Sequence, residues 1–525
     1  HEIAVDDLCR CIDPERYEDN LLARWVSQES LGTRSLYIED SGLNDLSDVD
    51  ALIERYNDTL YKGHVSRRIE HEMGHFFVKG DEDDVVAILR GLLKLSDRGV
   101  RGYASMCDAW LAENQGIVDD PAKVDALGKI FADTRAALVY GSAGTGKTTM
   151  VNYVCSLLRG LSKVAIASTN PAVDSLRRKI KDNGCMFMTV AKYLAHPHSC
   201  DLLIVDECST VCNLDMRRII ETGAFKLLLL VGDERQIESI RFGNWFSLGR
   251  EFLPGKCVHE FEKPWRTTDD NVLGLWSAVR NMDPNIAEIL ASCDMASVLD
   301  NSVLERASDD EIVLCLNYDG LYGINNLNML LQTLNNNAPV IWNLHTYKVG
   351  DPILFNETER FQPLLYNNLK GRIVGIDNSA GDSITFTVAV DMAVSELSVA
   401  RYRGLEFLDA RDGETYLRFM VMKSKDQDGE DLGEDCVVPF QVAYAVSVHK
   451  AQGLEYSSVK LVITKDVEKR ITHSVFYTAI TRARESLRIY WSPESQKKVL
   501  SSFELTSTRT DSQLLSNRCG LKLHP

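Results

Sequence analysis

The sequence predicts an α/β protein with two lobes, and three features of the chain support this prediction. Short apolar runs alternate with amphipathic stretches from about residue 120, as in AALVYG, KVAIAST, DLLIVDE and LLLLVGD. A second series of the same kind begins near residue 270 and includes EIVLCLN and PVIWNL. Such runs, each followed by a helical pattern, are typical of buried parallel strands with helices on both faces of the sheet. Between about residues 371 and 435, alternating segments such as SITFTVAV indicate a small antiparallel β insertion.

These patterns divide the chain into five segments. Residues 1–115 show helical spacing of apolar residues among many charges, which predicts a helical N-terminal region. Residues 116–270 form the first lobe; residues 271–370 and 436–500 form the second, which the insertion 371–435 interrupts. The last residues, 501–525, are rich in Ser and Thr, and no fold is predicted for them.

Composition excludes several classes of protein. A chain of 525 residues is too long for one hydrophobic core. No apolar run approaches the roughly 18 residues of a membrane span, and the N-terminus is charged where a signal peptide is apolar, so we expect a cytoplasmic protein. The 13 cysteines contain no C-x-x-C pair, which indicates free thiols and not zinc ligands. The net charge of −18 argues against a largely basic surface, although a local basic channel is compatible with it.

The stretch HEMGH, from His71 to His75, matches the H-E-x-x-H pattern of zinc peptidases, in which two histidines one helical turn apart bind the metal. Such a site also needs a closely packed helix and a third ligand. The residues before the first histidine, RIE, are mostly charged, and the acidic run at 81–84 begins too close to supply a ligand from a separate helix. We therefore interpret HEMGH as part of an amphipathic helix with both histidines on one face, and the peptidase is the least favoured hypothesis.

A glycine-rich loop follows the predicted strand AALVY. The segment GSAGTGKTT fits the pattern G-x-x-x-x-G-K-[ST], in which backbone N–H groups curl around a polyphosphate at the N-terminus of a helix. In such a loop Lys147 reaches the β and γ phosphates and the hydroxyl of Thr148 binds Mg²⁺, so we expect ATP and Mg²⁺ as ligands. The nucleotide-binding residues predicted here are Gly141, Ser142, Ala143, Gly144, Thr145, Gly146, Lys147, Thr148 and Thr149.

Two further strand ends carry the polar residues that ATP hydrolysis needs. The run LLIVDE ends in Asp206 and Glu207. We expect Asp206 to hold Mg²⁺, directly or through water, and Glu207 to orient and deprotonate the attacking water. The run LLLLVGDERQ ends in Asp233 and Gln236, and Gln236 would place an amide beside the γ-phosphate. Solvated acids at ordinary strand ends are the alternative interpretation.

From about residue 120 to 490 the chain resembles superfamily 1 helicases, most closely the RecD-like branch. GSAGTGKTT is similar to motif I, STNPAVDSLRRKI to motif Ia, VDECS to motif II, GDERQIESI to motif III, EKPWRTT to motif IV, AYAVSVHKAQGLEY to motif V and YTAITRARE to motif VI. The resemblance implies two RecA-like lobes with ATP between them. It also implies that Arg266 and Arg482 are arginine fingers, which raise the rate of such reactions about 10³- to 10⁵-fold. A surface salt bridge is the alternative role for each arginine.

The same resemblance implies where nucleic acid binds. The contacts implied by motifs Ia and V are Thr169, Asn170, Pro171, Ser447, His449, Lys450 and Gln452. Gly453 and Glu455 fit the loop that couples strand contact to ATP. Trp245 and Trp265 are candidate stacking platforms for bases, although an aromatic residue near a helix is more often part of the core.

The second lobe carries a further resemblance, and the first lobe shows two departures. VGDPILFNE and LYNNLKGRIVGI are similar to segments that lead into the SH3-like barrel of RecD-like 5′-to-3′ helicases, which favours 5′-to-3′ polarity. The family's adenine-reading glutamine ahead of motif I is replaced by Lys123. Only KDNGCMFMTVAKYLAHPHSC separates motifs Ia and II, which leaves little room for the β-hairpin pin that many relatives use to split a duplex.

The main hypothesis is an ATP-dependent translocase on single-stranded nucleic acid, with DNA favoured over RNA. RNA is the closest rival substrate, because these motifs do not distinguish the sugar. A second hypothesis is a nucleic-acid-sensing ATPase inside a larger repair or defence complex, with residues 1–115 as a module that binds a protein partner. Two observations motivate this second hypothesis: the short segment between motifs Ia and II, which leaves little room for a pin, and the negative net charge of the chain.

Overall fold

The computed structural model describes residues 16–42, 48–118, 120–264, 269–356, 360–423, 433–505 and 507–524, together with residues 11 and 13. Trp265 and Arg266, both named above as candidate site residues, lie outside the described residues. The chain divides into unit 1, residues 1–266 with 504–525, and unit 2, residues 267–503. No helix within the described ranges is long and apolar enough to cross a membrane.

The N-terminal part of unit 1 contains helices and also a small antiparallel sheet, which the prediction of a helical region did not include. Its helices are α1 (Glu18–Thr33), α2 (Val49–Thr59), α3 (Lys79–Leu95) and α4 (Tyr103–Glu113). Its strands are β1 (Ile38–Glu39), β2 (Ile69–Glu72) and β3 (His75–Val78), paired in the order β1-β3-β2.

HEMGH forms the hairpin between β2 and β3, so the predicted helix at this stretch is wrong. The two strands are joined by Met73 and Gly74, whose φ angles are 53° and 74°. Two successive residues with positive φ form the tight turn that suits an antiparallel hairpin, and glycine adopts this conformation without steric cost. His71 pairs across the hairpin with Phe76. His71 and His75 therefore lie on different strands and not on one turn of a helix, which contradicts the geometry that the peptidase pattern needs. Among the described residues, no group of three or more His, Cys, Asp and Glu side chains could hold a metal.

A parallel six-stranded sheet forms the centre of unit 1. Its strands are β4 (Ala136–Gly141), β5 (Lys163–Ala167), β6 (Cys185–Thr189), β7 (Cys200–Val205), β8 (Phe225–Gly232) and β9 (Val258–Phe261), in the order β6-β5-β7-β8-β4-β9. The helices of this part are α5 (Pro121–Lys129), α6 (Lys147–Leu157), α7 (Asn170–Lys179), α8 (Val190–Ala195), α9 (Asn213–Thr222) and α10 (Trp245–Phe252).

The sheet is covered on both faces. Ala137 and Val139 of β4 belong to one buried cluster, whereas Leu138 and Tyr140 belong to another. Successive side chains of a strand point to opposite faces, so β4 contributes to both cores at once. This double burial explains why β4 reads as a continuous apolar run, and it confirms the predicted α/β fold of the first lobe.

Unit 2 contains a second parallel sheet and a larger antiparallel one. Its helices are α11 (Asp270–Arg280), α12 (Ile286–Ser292), α13 (Ile324–Thr333), α14 (Glu396–Val399), α15 (His473–Ile480) and α16 (Pro493–Ser501). Its strands are β10 (Ala296–Ser297), β11 (Glu311–Cys315), β12 (Val340–Trp342), β13 (His345–Tyr347), β14 (Pro352–Phe355), β15 (Lys370–Asp377), β16 (Ser383–Val390), β17 (Leu405–Arg411), β18 (Glu414–Met422), β19 (Phe440–Val442), β20 (Ala445–Ser447), β21 (Tyr456–Val462) and β22 (Ala483–Tyr490). The parallel sheet has the order β10-β22-β21-β11-β20, and the antiparallel sheet has the order β17-β18-β16-β15-β14-β19.

The antiparallel sheet confirms a β insertion in the second lobe but is wider than the predicted segment 371–435. It begins with β14, which pairs on its two sides with β15 and β19. Its core contains Phe386, Phe419 and Phe440, whose ring centroids lie 5.0–6.2 Å apart. The run PVIWNL, expected to continue the α/β series, instead starts the hairpin β12–β13, which turns at Asn343 with a φ of 52°.

The chain returns to unit 1 in α17 (Arg509–Cys519), within the segment for which no fold was predicted. Asp511 is 2% exposed, and its carboxylate accepts hydrogen bonds from the backbone N–H groups of Leu36 (2.8 Å) and Tyr37 (3.1 Å). The side-chain amide of Asn244 donates a third hydrogen bond, at 3.0 Å. Leu515 of α17 belongs to the same buried cluster as Leu36 and Tyr37. The final segment is therefore part of the core of unit 1.

Asp511→Asn should destabilise unit 1, because asparagine keeps one acceptor oxygen and turns an N–H group towards a backbone donor. We expect a loss of about 2 kcal/mol in the free energy of unfolding. Thermal unfolding followed by circular dichroism should show a midpoint lower by roughly 4–8 °C. Asp58→Asn, at an exposed position of α2, is the control and should leave the midpoint unchanged. Equal midpoints for both variants would contradict the assigned role of Asp511.

Candidate nucleotide and nucleic-acid sites

The loop between β4 and α6 has a backbone that requires glycine. Gly144 and Gly146 have φ angles of 78° and 80°, which L side chains rarely adopt. At Gly141 the constraint is space, since a Cβ atom there would lie 2.6 Å from Thr145 Oγ1 and 2.8 Å from the backbone oxygen of Phe261. The loop then enters α6 at its N-terminus, where backbone N–H groups and the helix dipole favour an anion.

Lys147, the first residue of α6, folds back over the loop. Its Nζ donates hydrogen bonds to the backbone oxygens of Gly141 and Ser142, both at 2.8 Å. A polyphosphate in the loop would offer this ammonium group charged acceptors, which form stronger hydrogen bonds than neutral carbonyls. Thr148 and Thr149 follow in the first turn of α6 and are half-buried.

The predicted strand-end residues meet at one edge of the parallel sheet. β8 pairs with both β4 and β7, and all three run in the same direction. The glycine-rich loop, Asp206 and Gln236 follow β4, β7 and β8 respectively, so they share the carboxyl edge of neighbouring strands. Ligands of open α/β sheets bind in crevices at this edge.

Asp206 is a buried carboxylic acid beside a lysine. It is 9% exposed, and its Oδ1 accepts a hydrogen bond of 2.9 Å from the backbone N–H of Glu207. Burial raises the pKa of Asp206, whereas this hydrogen bond and the charge of Lys147 act to lower it. A divalent cation would offset the burial cost of the carboxylate, and carboxylate and hydroxyl oxygens are ligands that Mg²⁺ accepts. The predicted pair Thr148 and Asp206 therefore fits Mg²⁺ chemically.

Glu207 has an unusual backbone. Its φ is 52°, a left-handed value that is uncommon for a residue other than glycine and often marks a functional position. Its backbone oxygen accepts hydrogen bonds from both the N–H (2.8 Å) and the Oγ1 (2.7 Å) of Thr210. The Oγ1 of Thr210 lies 2.8 Å from Ser168 Oγ, just beyond the end of β5. This network fixes the backbone of Glu207 at the edge of the sheet.

Gln236 lies in the β8–α10 loop, defined here as residues 233–244. Its Nε2 donates a hydrogen bond of 3.3 Å to Oδ2 of Asp233, which is 3% exposed. The Oδ1 of Asp233 accepts a hydrogen bond of 3.2 Å from the backbone N–H of Arg235. The buried aspartate thus orders the first turn of the loop and orients the amide of Gln236.

The prediction that Trp245 stacks on bases is wrong, because this side chain belongs to the core. It is 1% exposed, and its indole N–H donates a hydrogen bond of 2.8 Å to the backbone oxygen of Val211. The same stretch of chain exposes Ile240 instead, with 96% of its surface accessible. Ile240 is the second of two isoleucines in the otherwise polar run ERQIESIR, and it was not among the predicted site residues.

The motif Ia residues lie at the start of α7. The Oγ1 of Thr169 accepts a hydrogen bond of 3.3 Å from the backbone N–H of Ala172, so Thr169 is the N-cap of the helix. Asn170 is half-buried and Pro171 is buried in the first turn. Because β5 pairs with β7 in parallel, these residues share the sheet edge that holds Asp206.

The motif V residues of unit 2 surround the end of β20. The Oγ of Ser447 accepts a hydrogen bond of 3.2 Å from the backbone N–H of Lys450, whose Nζ donates one of 3.1 Å to Gln441 Oε1. Burial lowers the pKa of Lys450. His449 is exposed and Gln452 is half-buried.

Arg482 connects motif VI to the last residues of motif V. It is 3% exposed, and its Nε donates to the backbone oxygen of Thr478 at 3.0 Å. Its Nη1 donates to the backbone oxygen of Leu454 at 3.2 Å, between Gly453, whose φ is 79°, and Glu455. Arg482 is therefore hydrogen-bonded to the residue between Gly453 and Glu455, the two residues predicted to couple strand contact to ATP.

Lys123, noted above as a departure from the family pattern, lies against the glycine-rich loop. It is 1% exposed, and a Cβ atom on Gly146 would lie 2.6 Å from its Nζ. The buried ammonium group of Lys123 packs against the glycine-rich loop and adds positive charge beside the candidate phosphate site.

Lys123→Ala should weaken ATP binding about tenfold, since it removes a buried charged group worth roughly 1.5 kcal/mol from the support of the loop. Titration with a fluorescent ATP analogue measures the effect. Lys129→Ala on the same helix is the matched control, because Lys129 is exposed and pairs only locally with Asp125, at 2.7 Å. A dissociation constant within about twofold of the unsubstituted protein for Lys123→Ala would contradict the role of Lys123.

Two family models match the chain. The model described as an AAA domain matches residues 120–295, and the model described as a UvrD-like helicase C-terminal domain matches residues 442–490. The first includes the glycine-rich loop, Asp206 and Gln236, and the second includes Ser447 and Arg482.

Individual proteins are also similar to the chain. ATP-dependent DNA helicase PIF1 of Danio rerio is 25% identical over 394 residues, which cover 66% of this chain and 57% of that protein. RecBCD enzyme subunit RecD of Buchnera aphidicola is 24% identical over 188 residues, which cover 35% of this chain and 25% of that protein. The chain thus spans only part of the length of these relatives.

A solved structure, Pif1 helicase from Bacteroides in complex with ADP-AlF3 and ssDNA, is 14% identical, with a TM-score of 0.46 over 76% of this chain and 98% of that one. The chain therefore combines an AAA domain with a UvrD-like helicase C-terminal domain, and it is similar to helicases of the RecD and Pif1 type.

Proposed function

We propose that the chain is an ATP-driven translocase on single-stranded nucleic acid, moving 5′ to 3′ and acting on DNA in preference to RNA. One observation carries the proposal: the glycine-rich loop, Asp206 and Gln236 follow three adjacent parallel strands and meet at one sheet edge. The name of one relative, an ATP-dependent DNA helicase, favours DNA as the polymer.

In this proposal the residues of unit 1 bind and activate the reactants. Lys147 exchanges its two backbone acceptors for phosphate oxygens, while Glu207 holds and deprotonates the attacking water. Mg²⁺, held by Thr148 and Asp206, would supply a Lewis acid for the phosphates. Gln236 contacts the site through its side-chain amide and changes position when the γ-phosphate leaves.

The arginines and the nucleic-acid contacts complete the motor. Arg266 and Arg482 stabilise the charge of the transition state, as the family resemblance implies. The strand contacts Thr169, Asn170 and Pro171 in unit 1, and Ser447, His449, Lys450 and Gln452 in unit 2, as the family resemblance implies. The hydrogen bond from Arg482 to Leu454 gives ATP hydrolysis a direct connection to the loop with Gly453 and Glu455, next to these contacts.

A second candidate, a nucleic-acid-sensing ATPase without strong unwinding, is favoured by one observation. The short segment between motifs Ia and II is occupied by β6 and α8, which belong to the central sheet and its cover, so the described residues of this segment contain no β-hairpin pin. In that case the protein needs a partner or another part of the chain to separate a duplex.

ATP turnover should rise at least about tenfold when single-stranded DNA is added, and less with single-stranded RNA of the same sequence. Lys147→Ala should abolish turnover by removing the phosphate contact. Glu207→Gln should lower it by about 10²- to 10⁴-fold while leaving ATP binding intact, because it removes only the base. A phosphate-release assay measures all three proteins. If neither polymer stimulates the unsubstituted protein, the translocase proposal is wrong.

Streptavidin displacement tests direction separately from unwinding. A 5′-to-3′ motor should remove streptavidin from the 3′ end of a biotinylated single strand and leave it on the 5′ end. Partial duplexes with 5′ or 3′ overhangs, tested under the same conditions, report strand separation. Displacement from the 5′ end would reverse the proposed polarity, whereas translocation without strand separation would favour the sensing ATPase.

A further inference from the structure

The β8–α10 loop, which carries Gln236, is held by residues that are far away in the sequence. The loop is twelve residues of chain between a strand and a helix. Two groups of contacts fix its second half: one from the end of α1, and one from α17 together with the segment that leads into β1. Both lie within unit 1.

The first contact is an ion pair from the N-terminal part. Arg34 is the C-cap of α1 with a φ of 60°, and its Nε lies 3.0 Å from Oε2 of Glu238. The side chains are 21% and 13% exposed, so the pair is only partly accessible to water. A second guanidinium nitrogen of Arg34 donates a hydrogen bond of 3.5 Å to the backbone oxygen of Arg241. Burial raises the pKa of Glu238 to about 7, and the charge of Arg34 opposes that rise.

The second contact is the hydrogen-bond network of Asp511. Its carboxylate joins Leu36 and Tyr37 to Asn244 at the end of the loop. Asn244 also exchanges hydrogen bonds with Asn213, at 3.1 and 3.3 Å. Phe242, in the same loop, is buried in a cluster with side chains of the N-terminal part and of α17.

The two groups of contacts hold residues 238–244. The residues before them follow β8 directly and are ordered by hydrogen bonds to Asp233. Gln236 is two residues from Glu238, so its backbone path is set on one side by the buried Asp233 and on the other by the anchored Glu238. Water and salt screen a partly buried ion pair less than an exposed one, so the pair of Arg34 and Glu238 constrains the loop more than a surface pair would.

We propose that Arg34 is a positioning residue for Gln236: by holding Glu238, it sets the place of the amide at the candidate ATP site. This inference rests on the proposed ATPase function. It assigns to the N-terminal part an internal role in the hydrolysis step, whether or not that part also binds a partner. Arg34 acts through the loop and does not touch the nucleotide.

The proposal predicts a selective effect on the rate. Arg34→Ala should lower kcat for DNA-stimulated ATP turnover about tenfold, while KM for ATP stays within about twofold, because the loop moves but the phosphate-binding loop does not. Arg34→Lys should recover part of the loss, since lysine keeps the charge but not the planar fork. Arg55→Ala is the matched control, because Arg55 lies in the same N-terminal part and pairs with Asp19, at 3.4 Å. It should turn over ATP like the unsubstituted protein.

A double-mutant cycle with Glu238→Gln isolates the pair. If the pair acts as a unit, Arg34→Ala should have little further effect on kcat in the Glu238→Gln background. The inference is wrong if Arg34→Ala leaves kcat within about twofold, if the two effects multiply, or if kcat falls only in step with the thermal midpoint. When DNA stimulates the unsubstituted protein but Arg34→Ala changes nothing, the inference alone fails. Without stimulation of the unsubstituted protein, the proposed function and the inference fail together.

Discussion

Parallel strands of one sheet all end at the same edge, and the candidate chemistry of unit 1 depends on this constraint. β5, β7, β8 and β4 are neighbours, and each is followed by a residue that the candidate site needs. Because the strands are buried on both faces of the sheet, they hold these loops at a fixed spacing. The order of the strands therefore brings side chains that are tens of residues apart in the sequence to one edge of the sheet.

Two carboxylates at this edge are buried, and burial of a charged group is unfavourable unless it has hydrogen-bond partners. Asp206 and Asp233 are both nearly inaccessible to water, and each is bonded to the backbone of its own turn. Such bonds orient the carboxylates before any ligand arrives, which reduces the reorganisation that binding would otherwise require. The left-handed backbone of Glu207 belongs to the same arrangement, since its carbonyl group is held by Thr210.

Much of this architecture was predictable because it follows from local pattern. Continuous apolar runs identified β4, β5, β7 and β8 of the first parallel sheet and β11 of the second, and the glycine-rich loop identified the start of α6. The errors had two causes, one a local turn and the other the surroundings of a side chain in the fold. HEMGH has helical spacing, but a two-residue turn at Met73 and Gly74 makes it a hairpin. Trp245 lies near polar loop residues, yet its surroundings in the fold make it part of the core.

The C-terminal segment shows the same limit more clearly. Its Ser- and Thr-rich composition suggested no structure, because α17 has few apolar residues of its own. Its stability comes from partners near residue 36 and near residue 244, which no local pattern can reveal. The contact between Arg34 and Glu238 was hidden for the same reason.

The return of the chain to unit 1 also has a consequence for biosynthesis. A ribosome completes the central parallel sheet of unit 1 and then all of unit 2 before it reaches α17. Until that helix emerges, the cluster around Leu36, Tyr37 and Phe242 has an uncovered apolar face. Unit 1 therefore finishes folding after unit 2 has been synthesised, and chains that stop short of α17 would expose this face to chaperones and proteases.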